Sequence, residues 1–382
     1  MRTKHLTALL AILTGATAHA EPIVTVYGTI DAGARYASGL GLSATSSPSP
    51  TPGQTASLAS GVDRSGRFGV AGNEVLGDGY KAVFALETEL YANTGSIDPN
   101  LGAAKDTAAA LANKVFERQS FVGLAGPFGQ LLVGRQQSVL RDIIDDIDAV
   151  GGRFSSFNPN LQYTALNSSG LVASAATFYG TGNPGNDSMM RQDNAIKYIA
   201  QSGPVTSTLL YSSAGVVGSF ASGSSAEAAL KYSQGPMLLA AAYQNMNNDN
   251  VTLKLEAYTL GGRYALTSWQ FAANYGSNTA QRTPSIRIKT GIYSFGATYA
   301  ATPALALTLG YYHVNRAWTD AFKPDANLAR MISFAEYKFS KRTLAFAEID
   351  FNKWGGDVTQ FQNGAANKTL ATGFTLGLDH TF

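Results

Sequence analysis

Apolar and polar residues alternate one by one through most of this chain, and this two-residue period limits its fold more than any other feature. Near the start, Val24, Val26 and Ile30 fall on one face of an extended segment, while Thr29 and Asp31 fall on the other. Such alternation is typical of strands with one apolar face. Because it recurs to the end of the chain, the sequence predicts an all-β protein.

Short and long connections alternate between the predicted strands. Short turns are predicted near residues 74–79, 127–129 and 203–204, whereas tracts 40–55 and 93–113 are long and rich in small residues. Tight turns at one rim and longer loops at the other are typical of transmembrane barrels. The pattern predicts a transmembrane antiparallel β-barrel of about sixteen strands, an even number as in other single-chain barrels.

The last segment of the chain is an aromatic strand. One face is mostly apolar and carries Leu370, Phe374, Leu376, Leu378, His380 and Phe382. In a soluble protein an exposed strand of this kind promotes aggregation. In a barrel it pairs with the first strand, and its apolar face meets lipid.

The first twenty residues carry the pattern of a secretory signal. Arg2 and Lys4 precede an apolar run from Leu6 to Leu13, and 18–20 is a small-x-small cleavage site. We therefore expect cleavage near residues 20–21 and a mature chain of residues 21–382. Loss of Arg2 and Lys4 lowers the formal net charge from +2 to zero. A nucleic-acid binder would show a basic excess, so no nucleic-acid partner is expected.

Composition leaves little room for catalysis. The chain has no cysteine, and of its four histidines only His313 and His380 follow the signal. We therefore expect no metal, no cofactor and no enzyme activity. For an exported chain without cysteine, two classes fit: a large secreted β protein, and an outer-membrane barrel whose lipid face supplies the exposed apolar residues.

Residues 134–157 break the two-residue period. Leu140, Ile143, Ile144, Ile147 and Val150 recur at the three- and four-residue spacing of a helix. The opposite face is acidic and carries Asp142, Asp145, Asp146 and Asp148. One interpretation is a surface helix on an ordinary β domain. The other is a helix inside a barrel, lying against the inner wall and narrowing the opening.

A set of short motifs carries a family resemblance. They are Val26-Tyr27-Gly28, Asp31-Ala32-Gly33, Gly66-Arg67-Phe68-Gly69, Leu76-Gly77-Asp78-Gly79, Arg118–Leu124, Gly134-Arg135-Gln136 and the terminal Phe382. With them the chain resembles the general porins of Gram-negative outer membranes, of the type found in Burkholderia and Neisseria. The motifs are dense over the first 140 residues and clear over the last fifteen.

The resemblance implies a homotrimer of sixteen-stranded barrels in outer-membrane lipid. Each barrel would hold a water-filled pore for passive diffusion of ions and small hydrophilic solutes. The pore would be constricted by the third loop, here about Ser138–Met190. The tract 158–186 departs from the family pattern.

The resemblance also implies arginines on the barrel wall that face acidic residues of the third loop. The wall arginines would be Arg67, Arg118, Arg135 and Arg191; the loop acids would be Asp142, Asp145, Asp146 and Asp148. Asp145 and Asp148 are the best lumen candidates, whereas Asp142 and Asp146 have a second interpretation as helix-capping or solvated residues. The sign of the ion selectivity stays open.

Strand alternation gives further evidence on these positions. It places Arg67 and Glu87 in the lumen. Arg118 and Arg135, however, share a face with apolar residues, so either a bulge shifts their register or they lie at the subunit interface. Three rival functions remain: a porin with a saturable site for one solute, a lipase-type barrel that uses His313 or His380, and a secreted β-rich binding protein.

Overall fold

The computed structural model describes residues 23–39, 54–97, 115–155, 157–164, 190–213, 218–248, 251–281, 283–319, 325–357 and 369–382. The predicted signal peptide lies outside these residues. So do most of the predicted loops 40–55 and 93–113 and residues 165–189 of the predicted third loop.

Seventeen antiparallel segments form one sheet. They are β1 Ile23–Ser38, β2 Gln54–Ala59, β3 Arg67–Gly77, β4 Tyr80–Glu89, β5 Gln119–Gly126, β6 Gly129–Gln137, β7 Arg191–Ser202, β8 Val205–Ser212, β9 Ser225–Gln234, β10 Met237–Asn247, β11 Lys254–Leu266, β12 Trp269–Gln281, β13 Arg287–Ala300, β14 Leu305–Trp318, β15 Ala326–Lys338, β16 Thr343–Gly356 and β17 Leu370–Thr381.

The segments occupy sixteen strand positions, because β2 and β3 share one. Both pair with the same side of β1: β2 with Gly33–Ser38 and β3 with Ile23–Thr29. Residues 60–66 interrupt this strand. The side chain of Asp31 holds the interruption in place by accepting hydrogen bonds from the backbone N–H groups of residues 62, 63 and 64. The predicted count of about sixteen strands is confirmed.

The last strand closes the barrel on the first, as predicted. Residues 29–38 of β1 pair with residues 372–381 of β17. Beyond β17, Gly28 N donates to Phe382 O at 3.2 Å and Phe382 N donates to Gly28 O at 3.1 Å. The pairing of β17 with β1 closes the sheet. Strands that face lipid require such closure, because an open sheet edge would expose unpaired backbone groups.

Alternation separates an apolar outer face from a polar or packed inner face. In β17, Leu376 and Leu378 are more than half exposed on the outside, while Thr375 is fully buried on the inside. Neighbouring strands repeat this arrangement. An outer surface rich in exposed Leu, Phe, Tyr and Val is stable only where lipid replaces water.

Two-residue turns join many neighbouring strands at one rim. Between β3 and β4, Asp78 and Gly79 both take positive φ angles, 50° and 80°. A turn with two positive φ values matches the right-handed twist of the strands it joins, and asparagine, aspartate and glycine tolerate it best. The short turns predicted near 127–129 and 203–204 lie at the same rim, joining β5 to β6 and β7 to β8.

The helix α1, Val139–Ile147, lies inside the barrel. The Ser138 hydroxyl caps its start by accepting a hydrogen bond from Arg141 N at 3.2 Å. Its apolar side chains are buried against the inner faces of the wall from β7 to β12. Of the two interpretations of this segment, the helix on the inner wall of a barrel is confirmed. Within the described ranges, no helix has the length and apolarity needed to cross a bilayer.

The chain after α1 continues along the inner wall. Ala149, Val150, Phe154 and Phe157 pack on inward side chains of β13–β17 and β1, in a second apolar cluster. A π-helical turn, Asn160–Thr164, ends the described part of this segment. The described residues between 138 and 164 therefore line the inner wall from β7 to β17 and β1.

Candidate pore constriction

The acidic side of α1 is turned away from the wall, and each of its carboxylates has a basic partner. Asp142 pairs with Lys197 of β7, and Asp146 pairs with Lys231 of β9 at 2.9 Å. Asp145 pairs with Arg141 of the same helix at 2.9 Å. We call these six residues the helix face. Their pairing leaves α1 with little uncompensated negative charge.

Opposite charges also meet on the wall from β3 to β7, close to its arginines. Arg118 Nε donates to Glu87 Oε1 at 2.6 Å, and its guanidinium lies 3.6 Å from Glu89. Tyr27 donates its hydroxyl proton to the other Glu87 oxygen at 2.9 Å. Arg118 precedes β5, so the alternation of that strand does not set its direction. Its contacts place it with the inward Glu87.

A bulge redirects Arg135. The pairing of β6 with β7 shifts register between Gly134 and Gln136, and Gly134 takes a φ of 132° that favours glycine. The side chain of Arg135 donates to the backbone carbonyl of Glu117 and to the carboxylate of Asp193. Of the two alternatives that alternation left open, the shifted register describes this position.

The remaining two wall arginines differ from these. Arg67 begins β3 directly opposite Glu89, is half-buried, and forms no ion pair within 4 Å among the described residues. Arg191 begins β7 and acts electrostatically on Glu117. We use the term arginine wall for Arg67, Arg118, Arg135, Arg191, Glu87, Glu89, Glu117 and Asp193.

Glu117 is the member of the arginine wall whose pKa lies near neutral pH. It is buried, and its two oxygens accept from Glu89 N at 2.6 Å and from Thr88 Oγ1 at 2.8 Å. Burial raises the pKa of Glu117 to about 7, although these hydrogen bonds and the charge of Arg191 oppose the shift. The charge on the arginine wall therefore changes near neutral pH.

Asp148 differs from its prediction as a lumen charge. The residue is 3% exposed. Its carboxylate accepts hydrogen bonds from five donors: Val150 N, Gly152 N, Asn158 Nδ2, Asn160 Nδ2 and the Tyr312 hydroxyl. Asp148 thus holds the end of α1, the following loop and β14 together, and adds no free charge to the lumen surface. The reason is geometric: it caps the helix end rather than continuing the helix face.

Aromatic residues of the loop stack on three further arginines that the sequence analysis did not single out. Arg330 is fully buried, 3.6 Å from the ring centre of Phe157, and donates to Phe157 O. Arg35 lies 4.9 Å from the ring centre of Phe154. Arg316 lies 5.2 Å from that of Tyr163. These cation–π contacts fix the loop against β1, β14 and β15.

Sequence reasoning also missed the basic partners of the helix face. Lys197 and Lys231 lie on the inward faces of β7 and β9, where each alternates with outward apolar residues such as Ile196 and Leu230. Alternation alone would have placed them in the lumen. Their pairing with α1 depends on where the helix lies and is not visible in the chain.

The comparisons with known proteins agree with this architecture. The family profile described as Gram-negative porin matches residues 6–357. This chain belongs to the Gram-negative porin family. Among curated relatives of this porin, an outer membrane porin protein of Bordetella pertussis is 28% identical over 287 residues, covering 71% of this chain and 68% of the relative. The major outer membrane protein P.IB of Neisseria meningitidis is 26% identical and covers 94% of both chains.

Solved structures show the same fold. The anion-selective porin from Comamonas acidovorans matches with a TM-score of 0.69 at 20% identity, over 95% of this chain and 100% of that one. OmpT of Vibrio cholerae, in a trimer form, matches with a TM-score of 0.63 at 16% identity, over 94% and 99% of the two chains. This porin is a Gram-negative outer-membrane channel for passive diffusion of solutes.

Proposed function

We propose that ions and small hydrophilic solutes pass between the helix face and the arginine wall, and that this opening weakly prefers anions. The observation that supports this proposal is which charged side chains have ion-pair partners. Asp142, Asp145 and Asp146 each have a basic partner, whereas Arg67 has no ion-pair partner among the described residues. In a narrow low-dielectric opening, an uncompensated charge sets the local potential and hence which ions enter.

The ion selectivity of one structural neighbour supports the proposed preference for anions. The Comamonas acidovorans porin is anion-selective. In this chain the preference should be weak, because the arginine wall has as many acidic as basic members. Only the partial protonation of Glu117 near neutral pH leaves a small positive excess. The test is the current through purified protein in a planar bilayer under a salt gradient. Saturable block by one solute at low concentration would contradict non-specific diffusion.

We also propose that the functional unit is a homotrimer. Support comes from the trimer form of OmpT, which shares the fold over almost the whole chain. A trimer predicts bilayer insertions that raise the current in three equal steps. Insertions in single steps, with a mass in detergent of one chain, would contradict the proposal.

The hydrogen-bond partners of the two histidines agree with a channel that transports solutes without catalysis. His313 Nε2 lies 3.0 Å from Asn315 Oδ1, and His380 Nδ1 lies 2.9 Å from Thr343 Oγ1. A histidine that activates a serine needs its other ring nitrogen held, usually by a carboxylate. These amide and threonine partners do not provide that arrangement.

Replacing Arg67 with glutamine should shift the reversal potential toward cation preference, because it removes the wall charge without an ion-pair partner. The shift should be largest below about 0.1 M salt, where the Debye length exceeds about 10 Å. Lys338→Gln is the matched control, since this substitution also removes one positive charge, but at the exposed end of β15. Equal shifts in both variants would contradict a constriction role for Arg67.

The anion preference should strengthen as the pH falls through about 7. The raised pKa of Glu117 keeps this carboxyl neutral below that pH and charged above it, so acidification removes one negative charge from the arginine wall. Reversal potentials measured at pH 6 and pH 8 are the check. Glu117→Gln should hold the pH 6 value at both pH values; a variant that keeps the wild-type pH dependence would assign the effect to another group.

A further inference from the structure

A cavity opens on the outside of the barrel, away from the pore. It has a volume of about 430 Å³ and lies on the outer faces of β12–β15. Its side chains include Tyr275, Lys289, Tyr293, Asn315, Asp325 and Asn327. Their direction follows from β13, where Lys289 and Tyr293 are exposed while Ile288 and Ile292 are buried. We call this cavity the rim pocket.

The rim pocket lies at the rim of the long connections. Gly291 pairs with Asn315, which pairs with Asn327, close to the ends of β13, β14 and β15 that lead into residues 282–286 and 320–324. In membrane barrels the longer loops lie on the extracellular side. The rim pocket is therefore at the height of the headgroups of the outer leaflet.

The absence of a side chain at Gly291 leaves open space in the rim pocket. A Cβ added at Gly291 would meet only the side chain of Tyr275, with its nearest atom at 3.5 Å. The space above Gly291 is thus open to a ligand. It is bordered by the rings of Tyr275 and Tyr293, whose centres are 4.7 Å apart.

The chemistry of the lining fits a sugar ring. Tyrosine rings present apolar faces to the C–H groups of a sugar, with polar hydroxyls at their edge. Asn315, Asn327, Asp325 and Lys289 supply the donors and acceptors that sugar hydroxyls need. Arg316 also borders the cavity, but its buried guanidinium is turned to the ring of Tyr163 inside the barrel. The outward side chains then pair one lysine with one aspartate and carry no excess of positive charge, so the site does not depend on capturing a bare anion.

The surface beside the rim pocket fits an acyl chain. Phe295 is 57% exposed, and Leu309 is 48% exposed on the adjoining strand, on the same outer face and farther from the rim. A ligand with a sugar headgroup and hydrocarbon tails would contact both regions at once. We propose that the rim pocket binds the sugar headgroup of an outer-leaflet glycolipid, which then lies against Phe295 and Leu309.

The experiment is native mass spectrometry of the detergent-purified porin titrated with a rough-type lipopolysaccharide and, separately, with phosphatidylglycerol. We expect glycolipid retention that weakens at least tenfold in Tyr293→Ala and in Gly291→Leu, which fills the cavity. Tyr243→Ala is the matched control: Tyr243 is an equally outward tyrosine on β10, outside the pocket. It should leave binding unchanged.

Two outcomes would overturn the proposal: unchanged glycolipid binding in both pocket variants, or equal retention of phosphatidylglycerol. Single-channel conductance of each variant is measured in parallel. It should stay at the wild-type value, because the rim pocket does not face the lumen. Loss of glycolipid with normal conductance would therefore separate this proposal from the proposed pore constriction.

Discussion

Asp148→Ala is expected to convert a steady channel into a noisy one with a higher mean conductance. The substitution removes the shared acceptor of five donors, three of which lie in the segment 150–158. A buried donor left without an acceptor costs about 1–3 kcal/mol. The free energy that favours the wall-bound loop over a detached loop therefore falls. We expect the loop to leave the wall intermittently. Single-channel recording at constant voltage measures this directly.

Asp145→Ala is the matched control for that experiment. It deletes the same charge three residues away, but the Asp145 side chain is 37% exposed and its partners are Arg141 and Gln137. We expect a changed reversal potential with a steady current. Asp148→Asn should be intermediate, because an amide oxygen still accepts some of the bonds. A quiet, wild-type current in Asp148→Ala would show that the stacked arginines hold the loop without this carboxylate.

Gly28→Ala should strongly destabilise the closed barrel. An added Cβ at this position would lie 2.6 Å from the backbone oxygen of Arg67 and would also clash with the ring of Phe382. The ring of Phe382 is flexible, but the backbone of Arg67 is fixed by strand pairing, so the seam between β1 and its neighbours must open. Overpacking typically costs about 1–3 kcal/mol, and a backbone clash belongs at or above the upper end.

The temperature at which the folded band disappears on a semi-native gel measures this loss. Gly291→Ala is the control, since its added Cβ would be 3.5 Å from the nearest side-chain atom. That variant should unfold at the wild-type temperature. If both variants melt together, crowding at the barrel seam does not limit stability.

Much of the fold was readable from local patterns. The two-residue period in β1 and β17 predicted strands, their apolar outer face and the pairing of the last strand with the first. The helical period of Leu140, Ile143, Ile144 and Ile147 predicted α1. These features depend on residues a few positions apart, whose relative directions are set by the backbone geometry itself.

The charges of the constriction were less readable. Alternation placed Glu87 in the lumen but put Arg118 and Arg135 on the apolar face. Arg118 precedes its strand, and Arg135 follows a bulge at Gly134, so neither obeys the alternation. One inserted residue reverses every later side chain relative to the sheet. A sequence pattern does not show which strand contains the insertion.

The sequence by itself determined a barrel with a lipid-facing surface and an acidic helix that needed an apolar wall, because both follow from periods of two and three to four residues. Only the tertiary structure decided which charges are free. Lys231 meets Asp146 across 85 residues, and Tyr312 meets Asp148 across 164 residues. Such contacts depend on the register of every strand between the partners, so Asp148 became the anchor of the loop while Arg67 kept a charge without an ion-pair partner among the described residues.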